Sequence, residues 1–350
     1  MLLFRPAREG DLDAIHALSL TAGVGLTTLP PDRAVLQRKI RHSVASFAKK
    51  VEHAGEEYYL FVLEDTGSGD VIGTSGIYAT VGQSVPFYSY RLLHLTQVSH
   101  KPEMKVDTKL LQLVNDYAGA TELATLYLHP EKRTGGTGAF LSRARYLMMA
   151  AFPERFADKA MAEIRGFVNA DGKSPFWEAI GRHFFRMDFE EADRINGMGN
   201  SQFIADLMPK FPIYTTLLPD EAQAAIGRPH DQARGAVRLL AGEGFRFGGA
   251  VDIFDAGPCY EAPRREIRTI RKTRRLHVAA IDEAGETAGD VQMIALPDIA
   301  DFRVVMAPAD RIGEDGLRIG SAAARTLAIT VGAPVLVAPM RQREQEADRP

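Results

Sequence analysis

A glycine-rich segment between a strand pattern and a helix pattern constrains the fold of this chain more than any other feature. Residues 123–128 read Leu-Ala-Thr-Leu-Tyr-Leu, typical of a buried strand, and residues 133–139 read Arg-Thr-Gly-Gly-Thr-Gly-Ala. The next residues place Phe140, Ala144 and Leu147 on one helix face. N–H groups at a helix start are unpaired, and glycines let a phosphate approach the backbone closely. The pattern therefore predicts an anion-binding turn, with a plain strand-to-helix turn as the alternative.

The spacing of the glycines disfavours two common nucleotide-binding motifs. A dinucleotide fold needs Gly-x-Gly-x-x-Gly after its first strand, and a nucleoside-triphosphate loop ends in Gly-Lys-Ser/Thr. Here the glycines are Gly135, Gly136 and Gly138, they follow a later strand, and no lysine comes directly after them.

Composition and charge narrow the class of protein. With 350 residues, 45% hydrophobic and 25% charged, the chain is typical of a globular protein with a sizeable core. Its 42 basic and 45 acidic residues leave a net charge of −3, which disfavours nucleic acid as a partner.

The lone Cys259 excludes an intramolecular disulfide and a thiolate zinc cluster, and no His-x-x-x-His pair suggests a metal site. No apolar run suits a signal peptide or a bilayer span, so we expect no membrane partner and a cytoplasmic location.

The order of predicted elements indicates an α+β fold. A strand, two helices, two hairpin strands, and the strand and helix around the glycine loop are followed by a further strand and helix before about residue 200. Beyond about residue 274, short strands alternate with Gly, Pro and Asp turns. We expect a mixed central sheet flanked by helices over residues 1–225, a connecting helix and strand segment over 226–259, and a β-rich, barrel-like subdomain with a frayed tail over 260–350.

Three local expectations accompany this layout. Asp11 is predicted to cap the first helix, and the second helix is predicted from Asp32 to about residue 54. Residues 99–121 are polar and mixed, and no strand is predicted there. The basic side chains of the second helix are interpreted as a solvated face; they are Arg38, Lys39, Arg41, Lys49 and Lys50.

The glycine segment also resembles a known family motif. Arg133-x-x-Gly136-x-Gly138-Ala139 is similar to the pyrophosphate loop of the GNAT acyltransferase superfamily, and the surrounding order of strands and helices is similar too. The resemblance extends over essentially the whole chain to the arginine N-succinyltransferase family. The segments that carry it are residues 22–30, 200–210, 212–219 and 251–258.

This resemblance implies an activity and a set of site residues. The family transfers succinyl from succinyl-CoA to the α-amino group of L-arginine, the first step of an arginine catabolic pathway, with succinyl-CoA as co-substrate and no permanently bound cofactor. By position, His230 matches the proton donor of the family, and Leu126 matches a succinyl-CoA contact. The resemblance also implies an oligomer, either homomeric or with a homologous second subunit. The residues implied in pyrophosphate binding are Arg133, Gly135, Gly136, Thr137, Gly138 and Ala139.

The residues themselves leave several alternatives open. Judged by its local sequence alone, His230 is an ordinary loop histidine, and His129 and Tyr127 are rivals for its role. The stretches 23–30, 200–206 and 252–255 are candidates for recognising arginine. The alternative functions are acyl transfer with another acyl-CoA or amine, and a non-catalytic subunit homologous to an active one.

Overall fold

The strands of the protein form one continuous and mostly antiparallel sheet in the computed structural model, which describes residues 1–23, 26–197, 206–283 and 289–340. The strands are β1 (Leu2–Pro6), β2 (Tyr58–Asp65), β3 (Asp70–Tyr78), β4 (Ser89–His100), β5 (Glu103–Val114), β6 (Thr121–Leu128), β7 (Lys159–Glu163), β8 (Ile213–Tyr214), β9 (Arg246–Val251), β10 (Pro258–Pro263), β11 (Arg274–Asp282), β12 (Val291–Leu296), β13 (Arg303–Ile312), β14 (Gly316–Gly320) and β15 (Pro334–Pro339). Their spatial order is β12-β15-β11-β14-β13-β1-β2-β3-β6-β7-β10-β9-β4-β5-β8.

The helices cover both faces of the central strands. They are α1 (Leu12–Ala22), α2 (Arg33–Ala48), α3 (Thr137–Ala151), α4 (Pro175–Ala179), α5 (Gly181–Phe185), α6 (Phe189–Gly197), α7 (Asp220–Ala225), α8 (Arg234–Gly242), α9 (Arg268–Lys272) and α10 (Ser321–Leu327). Within the described ranges, no helix combines the length and apolarity needed to cross a membrane.

The ends of the first two helices differ from the sequence expectation. Asp32 caps α2 as predicted, because its carboxylate accepts the N–H of Val35 at 2.9 Å. The helix ends at Ala48 rather than near residue 54, since Lys49 adopts extended backbone angles. Asp11 does not cap α1 through its side chain. Its carboxylate is instead held by the guanidinium of Arg5 at 2.8 and 2.9 Å.

Alternating side chains of β2 divide the core between the two faces of the sheet. Tyr58 and Leu60 pack with α1 and α2 on one face. Tyr59 and Phe61 pack on the other face in the cluster that includes the apolar side of α3. Because successive side chains of a strand point to opposite faces, both faces of the mixed sheet are apolar and are covered by helices. This arrangement confirms the predicted GNAT-like layout.

The long hairpin of β4 and β5 corrects the prediction for residues 99–121. These strands pair along their whole length, from Ser89 with Val114 to His100 with Glu103. Most side chains near the hairpin tip are exposed on both faces. A strand that buries neither face lacks the apolar alternation from which strands are recognised, which explains why β5 was missed.

The last five strands close on themselves. β12 pairs with both β15 and β13, so the sequence of neighbours β12-β15-β11-β14-β13 returns to β12. This ring confirms the predicted β-rich, barrel-like unit, although β14 and α10 were not predicted. It joins the central sheet through β13, which pairs with β1 at Leu3–Val305 and Phe4–Val304. The expected boundaries at residues 225 and 259 stay a prediction, and residues 341–350 lie outside the described part.

Candidate active site

The central strand β6 contains a bulge immediately before Leu126. Thr125 has a φ of 54°, in the left-handed region, and the ladder between β3 and β6 slips at this point. The Thr125 N–H donates to Oγ1 of Thr28 at 3.0 Å, and Oγ1 of Thr74 donates to its carbonyl at 2.9 Å. These bonds hold a strained backbone conformation that costs on the order of 1–3 kcal/mol. The loop between α1 and α2 is thereby fixed to the bulge.

A gap opens between β6 and β7. These parallel strands pair only at Thr121 with Ala160 and at Glu122 with Met161. β6 continues to Leu128 beside β3 on its other edge, while β7 ends at Glu163 and pairs with β10. Beyond Glu122, the edge of β6 that faced β7 has no strand partner among the described residues, so its backbone groups are available to a ligand. Leu126 lies on this stretch and is half-buried.

The predicted anion-binding turn lies at the end of β6. Gly135 and Gly136 have φ of 60° and 84°, and their N–H groups donate to no acceptor among the described residues. The N–H groups of Gly138 and Ala139 belong to the first turn of α3 and have no intrahelical partner. Oγ1 of Thr137 donates to the Thr134 carbonyl at 2.7 Å and tightens the turn.

Arg133 supports this turn rather than pointing away from it. Its Nε donates to the carbonyl of Leu128 at 3.0 Å, and its guanidinium lies 5.8 Å from the ring centre of Tyr127. The side chain is exposed, and its positive charge belongs to the segment that leads into the start of α3.

His230 lies against the chain that continues from β7. Its N–H donates to the carbonyl of Arg165 at 2.8 Å, and the preceding Pro229 forms a bridge with Gly166. The segment from residue 209 to 230 therefore folds back to the β7 side of the gap. Burial, followed by the positive charge of Arg165, lowers the pKa of the His230 imidazole.

The orientation of the His230 ring defines which nitrogen can donate. Nδ1 accepts the backbone N–H of Gln232 at 3.1 Å. The neutral ring therefore carries its proton on Nε2, which is a hydrogen-bond donor in both charge states.

Tyr127 and His129, the two alternatives to His230 as proton donor, have different hydrogen-bond partners. The hydroxyl of Tyr127 donates to Thr21 at 2.8 Å, so its proton is engaged in holding α1 to β6. His129 follows β6 directly, and its N–H donates to the carbonyl of Ile72 at 2.9 Å. The structure describes no hydrogen bond that orients the His129 imidazole.

A buried polar cluster near the bulge was missed in the sequence. Nζ of Lys39 donates to the Thr28 carbonyl at 2.8 Å and to the Tyr78 hydroxyl at 2.7 Å. The interpretation of Lys39 as part of a solvated face is therefore wrong; its ammonium lies over the stacked rings of Tyr58 and Tyr78. Burial lowers the pKa of Lys39 to about 8 and raises that of Glu122 to about 7. The only sign of this cluster in the sequence was Glu122, a charged residue at the start of the apolar strand β6.

The candidate stretches for arginine recognition are only partly described. Val24, Gly25 and residues 200–205 lie outside the described ranges. In the 252–255 stretch, burial raises the pKa of both Asp252 and Asp255. Asp255 is structural, because its carboxylate accepts the N–H groups of Gly166 and Gly257 at 2.6 and 2.8 Å.

Comparisons with known proteins agree with this geometry. The family model described as "Arginine N-succinyltransferase beta subunit" matches residues 2–269, and the model of the C-terminal domain of that subunit matches residues 274–339. The chain belongs to the arginine N-succinyltransferase family. A relative from Pseudomonas aeruginosa, named arginine N-succinyltransferase subunit beta, is 40% identical over 98% of this chain and 100% of its own length.

Two further members of the family match as extensively. An arginine N-succinyltransferase from Escherichia coli is 40% identical over 89% of this chain and 90% of its own. The structure titled arginine/ornithine succinyltransferase subunit AI from Pseudomonas aeruginosa has a TM-score of 0.89 and 36% identity, covering 98% of this chain and 99% of that chain. The whole architecture, including the C-terminal ring of strands, is thus shared within the arginine N-succinyltransferase family.

Proposed function

We propose that this chain is an arginine N-succinyltransferase, which forms N2-succinyl-L-arginine and CoA from L-arginine and succinyl-CoA. The observation that carries the proposal is the β6–β7 gap, which has unpaired N–H groups of the α3 turn at one end and His230 on its β7 side. The full-length similarity to relatives named for this reaction supports the choice of substrates.

The turn before α3 suits the pyrophosphate of succinyl-CoA. Four N–H groups without a described acceptor, those of Gly135, Gly136, Gly138 and Ala139, lie at the positive end of the α3 dipole. The extended arm of CoA contains amides, and the unpaired edge of β6 offers the complementary backbone groups beside Leu126. We therefore assign acyl-CoA to the gap, with its thioester beside the bulge.

The reaction needs a nucleophile, support for an oxyanion, and a proton for the leaving sulfur. The α-ammonium of arginine first loses a proton to water, and its nitrogen then attacks the thioester carbonyl carbon and releases a second proton as the amide forms. As the tetrahedral intermediate collapses, the C–S bond breaks and the thiolate takes up a proton. Nε2–H of His230 is the group we assign to the sulfur: it donates a hydrogen bond to the departing thiolate in either charge state of the ring, and the imidazolium form transfers its proton to the sulfur.

Assembly and location are part of the proposal. We infer an oligomer, homomeric or with a homologous second subunit, because relatives are named as subunits. A cytoplasmic location follows from the proposed co-substrate, since acyl-CoA is made and used inside cells.

One assay separates this function from its alternatives. The purified chain alone, given succinyl-CoA and L-arginine, should release CoA thiol and form succinylarginine. A higher kcat/KM with acetyl-CoA than with succinyl-CoA, or with another amine than with arginine, would indicate a different acyltransferase. No release by the chain alone, but release after addition of a homologous subunit, would identify a non-catalytic partner.

A further inference from the structure

A cleft of about 390 Å³ opens on the face of the sheet that carries α1 and α2. Its walls include Tyr78 at the end of β3, the loop over residues 80–88, Glu163 at the end of β7, and residues 252–254 after β9. Its volume lies in the range of roughly 300–1,000 Å³ that is typical of small-molecule sites. We propose that this cleft binds the guanidinium of the acceptor amino acid, with Glu163 and Asp252 as the carboxylates that select it; this assignment rests on the proposed function.

Of the three acidic side chains that line the cleft, Glu56 accepts the N–H of Ser84 and lies near His42, whereas Glu163 and Asp252 form no described ion pair. The described hydrogen-bond partner of Glu163 is the thiol of Cys259, with Sγ at 3.9 Å from the carboxylate oxygen. Asp252 uses Oδ1 to accept the N–H groups of Phe254 and Asp255 at 2.7 and 2.9 Å. Among the described residues, no Lys or Arg nitrogen lies within 4.0 Å of either carboxylate. Glu163 and Asp252 therefore present acceptor oxygens to the cleft with no described Lys or Arg to meet them, and the basic side chain in the lining is that of His42.

A further carboxylate, that of Glu122, adds negative charge close to Glu163. Its side chain is almost fully buried, at 8% exposure, and the charged group that acts on it is the ammonium of Lys39. In register, Glu122 lies beside Tyr78 on β3 and beside Met161 on β7, and so shares their face of the sheet. Glu163, two positions after Met161, shares that face as well. Glu122 thus adds a third negative charge on the face that Tyr78 and Glu163 present to the cleft.

Mutual repulsion makes the unliganded cleft unfavourable. Burial, and then the charges of the neighbouring carboxylates, raises the pKa of Glu163. A bound cation would offset both costs. Within the described ranges, no three acidic, histidine or cysteine side chains are arranged to hold a metal ion, and we assign the cleft to an organic cation.

The guanidinium, rather than the α-ammonium, suits this position. The α-ammonium must lose a proton before it can attack, and neighbouring carboxylates would hold that proton in place. A guanidinium keeps its charge throughout the reaction and can bond two carboxylates at once through its planar N–H groups. Glu163 lies two residues before Arg165, whose carbonyl anchors His230, and Glu122 lies on the strand that leads to Leu126. The same two strands therefore serve the guanidinium and the reacting end of the acceptor.

The test combines a change in the enzyme with a change in the charge of the substrate. Glu163→Gln and Asp252→Asn remove a negative charge each, and Asn retains the Oδ1 acceptor that the 252–255 turn requires. The matched control is Glu52→Gln, at an exposed side chain paired only with Lys50. L-Arginine and L-citrulline have the same length, but the ureido group of citrulline is neutral. We expect kcat/KM for arginine to fall roughly 10- to 100-fold in each cleft variant. The kcat/KM for citrulline should change little in these variants. In Glu52→Gln, kcat/KM should change little for arginine and for citrulline.

The outcomes separate this inference from the proposed function. Equal losses with arginine and citrulline, or an unchanged kcat/KM for arginine in both cleft variants, would overturn the cleft assignment. A wild-type protein that does not succinylate arginine refutes the proposed function; calorimetric titration of arginine in the presence of CoA then still tests the cleft. Weaker arginine binding in Glu163→Gln or Asp252→Asn supports the assignment, and equal or absent binding contradicts it. Unchanged affinity for succinyl-CoA shows that a variant is folded.

Discussion

At the residue scale, two backbone contacts define the chemistry of His230. The carbonyl of Arg165 fixes its main chain, and the N–H of Gln232 occupies Nδ1. Protonation of Nδ1 would remove that acceptor, which agrees with the direction in which burial and Arg165 shift the pKa. A loop histidine that looks ordinary in sequence thus has one nitrogen committed and one free to donate.

Replacing His230 tests that donor directly. His230→Ala should lower kcat by roughly 10²–10⁴, the usual contribution of a positioned acid or base. His230→Gln should retain more activity, because its amide can donate a hydrogen bond from a similar position. Steady-state kinetics with saturating arginine measure both, and His129→Ala is the control with a much smaller loss. Wild-type turnover in His230→Ala would remove the assignment.

Glu122 should make stability depend on pH. Its folded-state pKa, about 7, lies above the ordinary 4.5, so the stabilising contribution of the protonated form is complete below pH 4.5 and is lost as the pH rises through 7. Between pH 4.5 and 7, the free energy of unfolding of the wild type should fall by about 3 kcal/mol relative to that of Glu122→Gln. Urea unfolding at several pH values measures the difference. A constant difference between the two proteins from pH 4.5 to 8 would contradict the prediction.

At the element scale, the start of α3 combines two kinds of glycine. Gly136 has a φ of 84°, a conformation that strains any other residue. Gly138 has ordinary helical geometry, and a Cβ there would lie 3.8 Å from Leu128. Gly136 is therefore needed for the turn itself, whereas at Gly138 the added atoms would meet mainly the ligand.

Substitution at Gly138 tests the pyrophosphate site. Gly138→Val should raise KM for succinyl-CoA roughly tenfold, because the side chain occupies the space of the phosphate. KM for arginine and the unfolding temperature should change little. Gly136→Val should also weaken acyl-CoA binding, but with a loss of stability of roughly 1–2 kcal/mol or more from the strained backbone. Unchanged acyl-CoA affinity in Gly138→Val would place the pyrophosphate elsewhere.

At the scale of the whole molecule, the C-terminal ring of strands completes the central sheet. β13 covers the edge of β1, and Phe302 packs against Phe61 and Phe152. Nη1 of Arg143 on α3 donates to the Met340 carbonyl at 2.9 Å, which joins the end of the ring to the helix of the proposed pyrophosphate site.

Truncation should show that the ring is needed for folding. A chain of residues 1–272 would leave the edge of β1 without its β13 partner and should aggregate, since an unpaired strand edge recruits other strands. A chain of residues 1–340 keeps the Met340 carbonyl and is the control, which should remain folded. Soluble yield and circular dichroism compare the two. A monomeric, folded 1–272 chain would show that the ring is independent.

Some of the site was predictable because its signals are local. The strand, glycine turn and helix of residues 121–151 depend on residues close together in the chain, so the pattern predicts them correctly. The hairpin strand β5 was missed because it buries neither face. Lys39 was misread because the neighbouring basic side chains of α2, Arg38 and Arg41, are exposed, and only the aromatic rings of β2 and β3 explain the burial of its ammonium.

The sequence by itself determined the order of helices and strands around the glycine turn, and the residues able to bind an anion there. Short-range sterics and unpaired helix N–H groups produce these features wherever the chain folds. Only the tertiary structure decided that β6 and β7 diverge, that His230 returns beside Arg165, and that Glu122 and Glu163 share one face. These features depend on strand register, because a slip of one residue would turn every side chain of a strand to the opposite face of the sheet. Register is set by packing between segments distant in the chain, which local patterns do not contain.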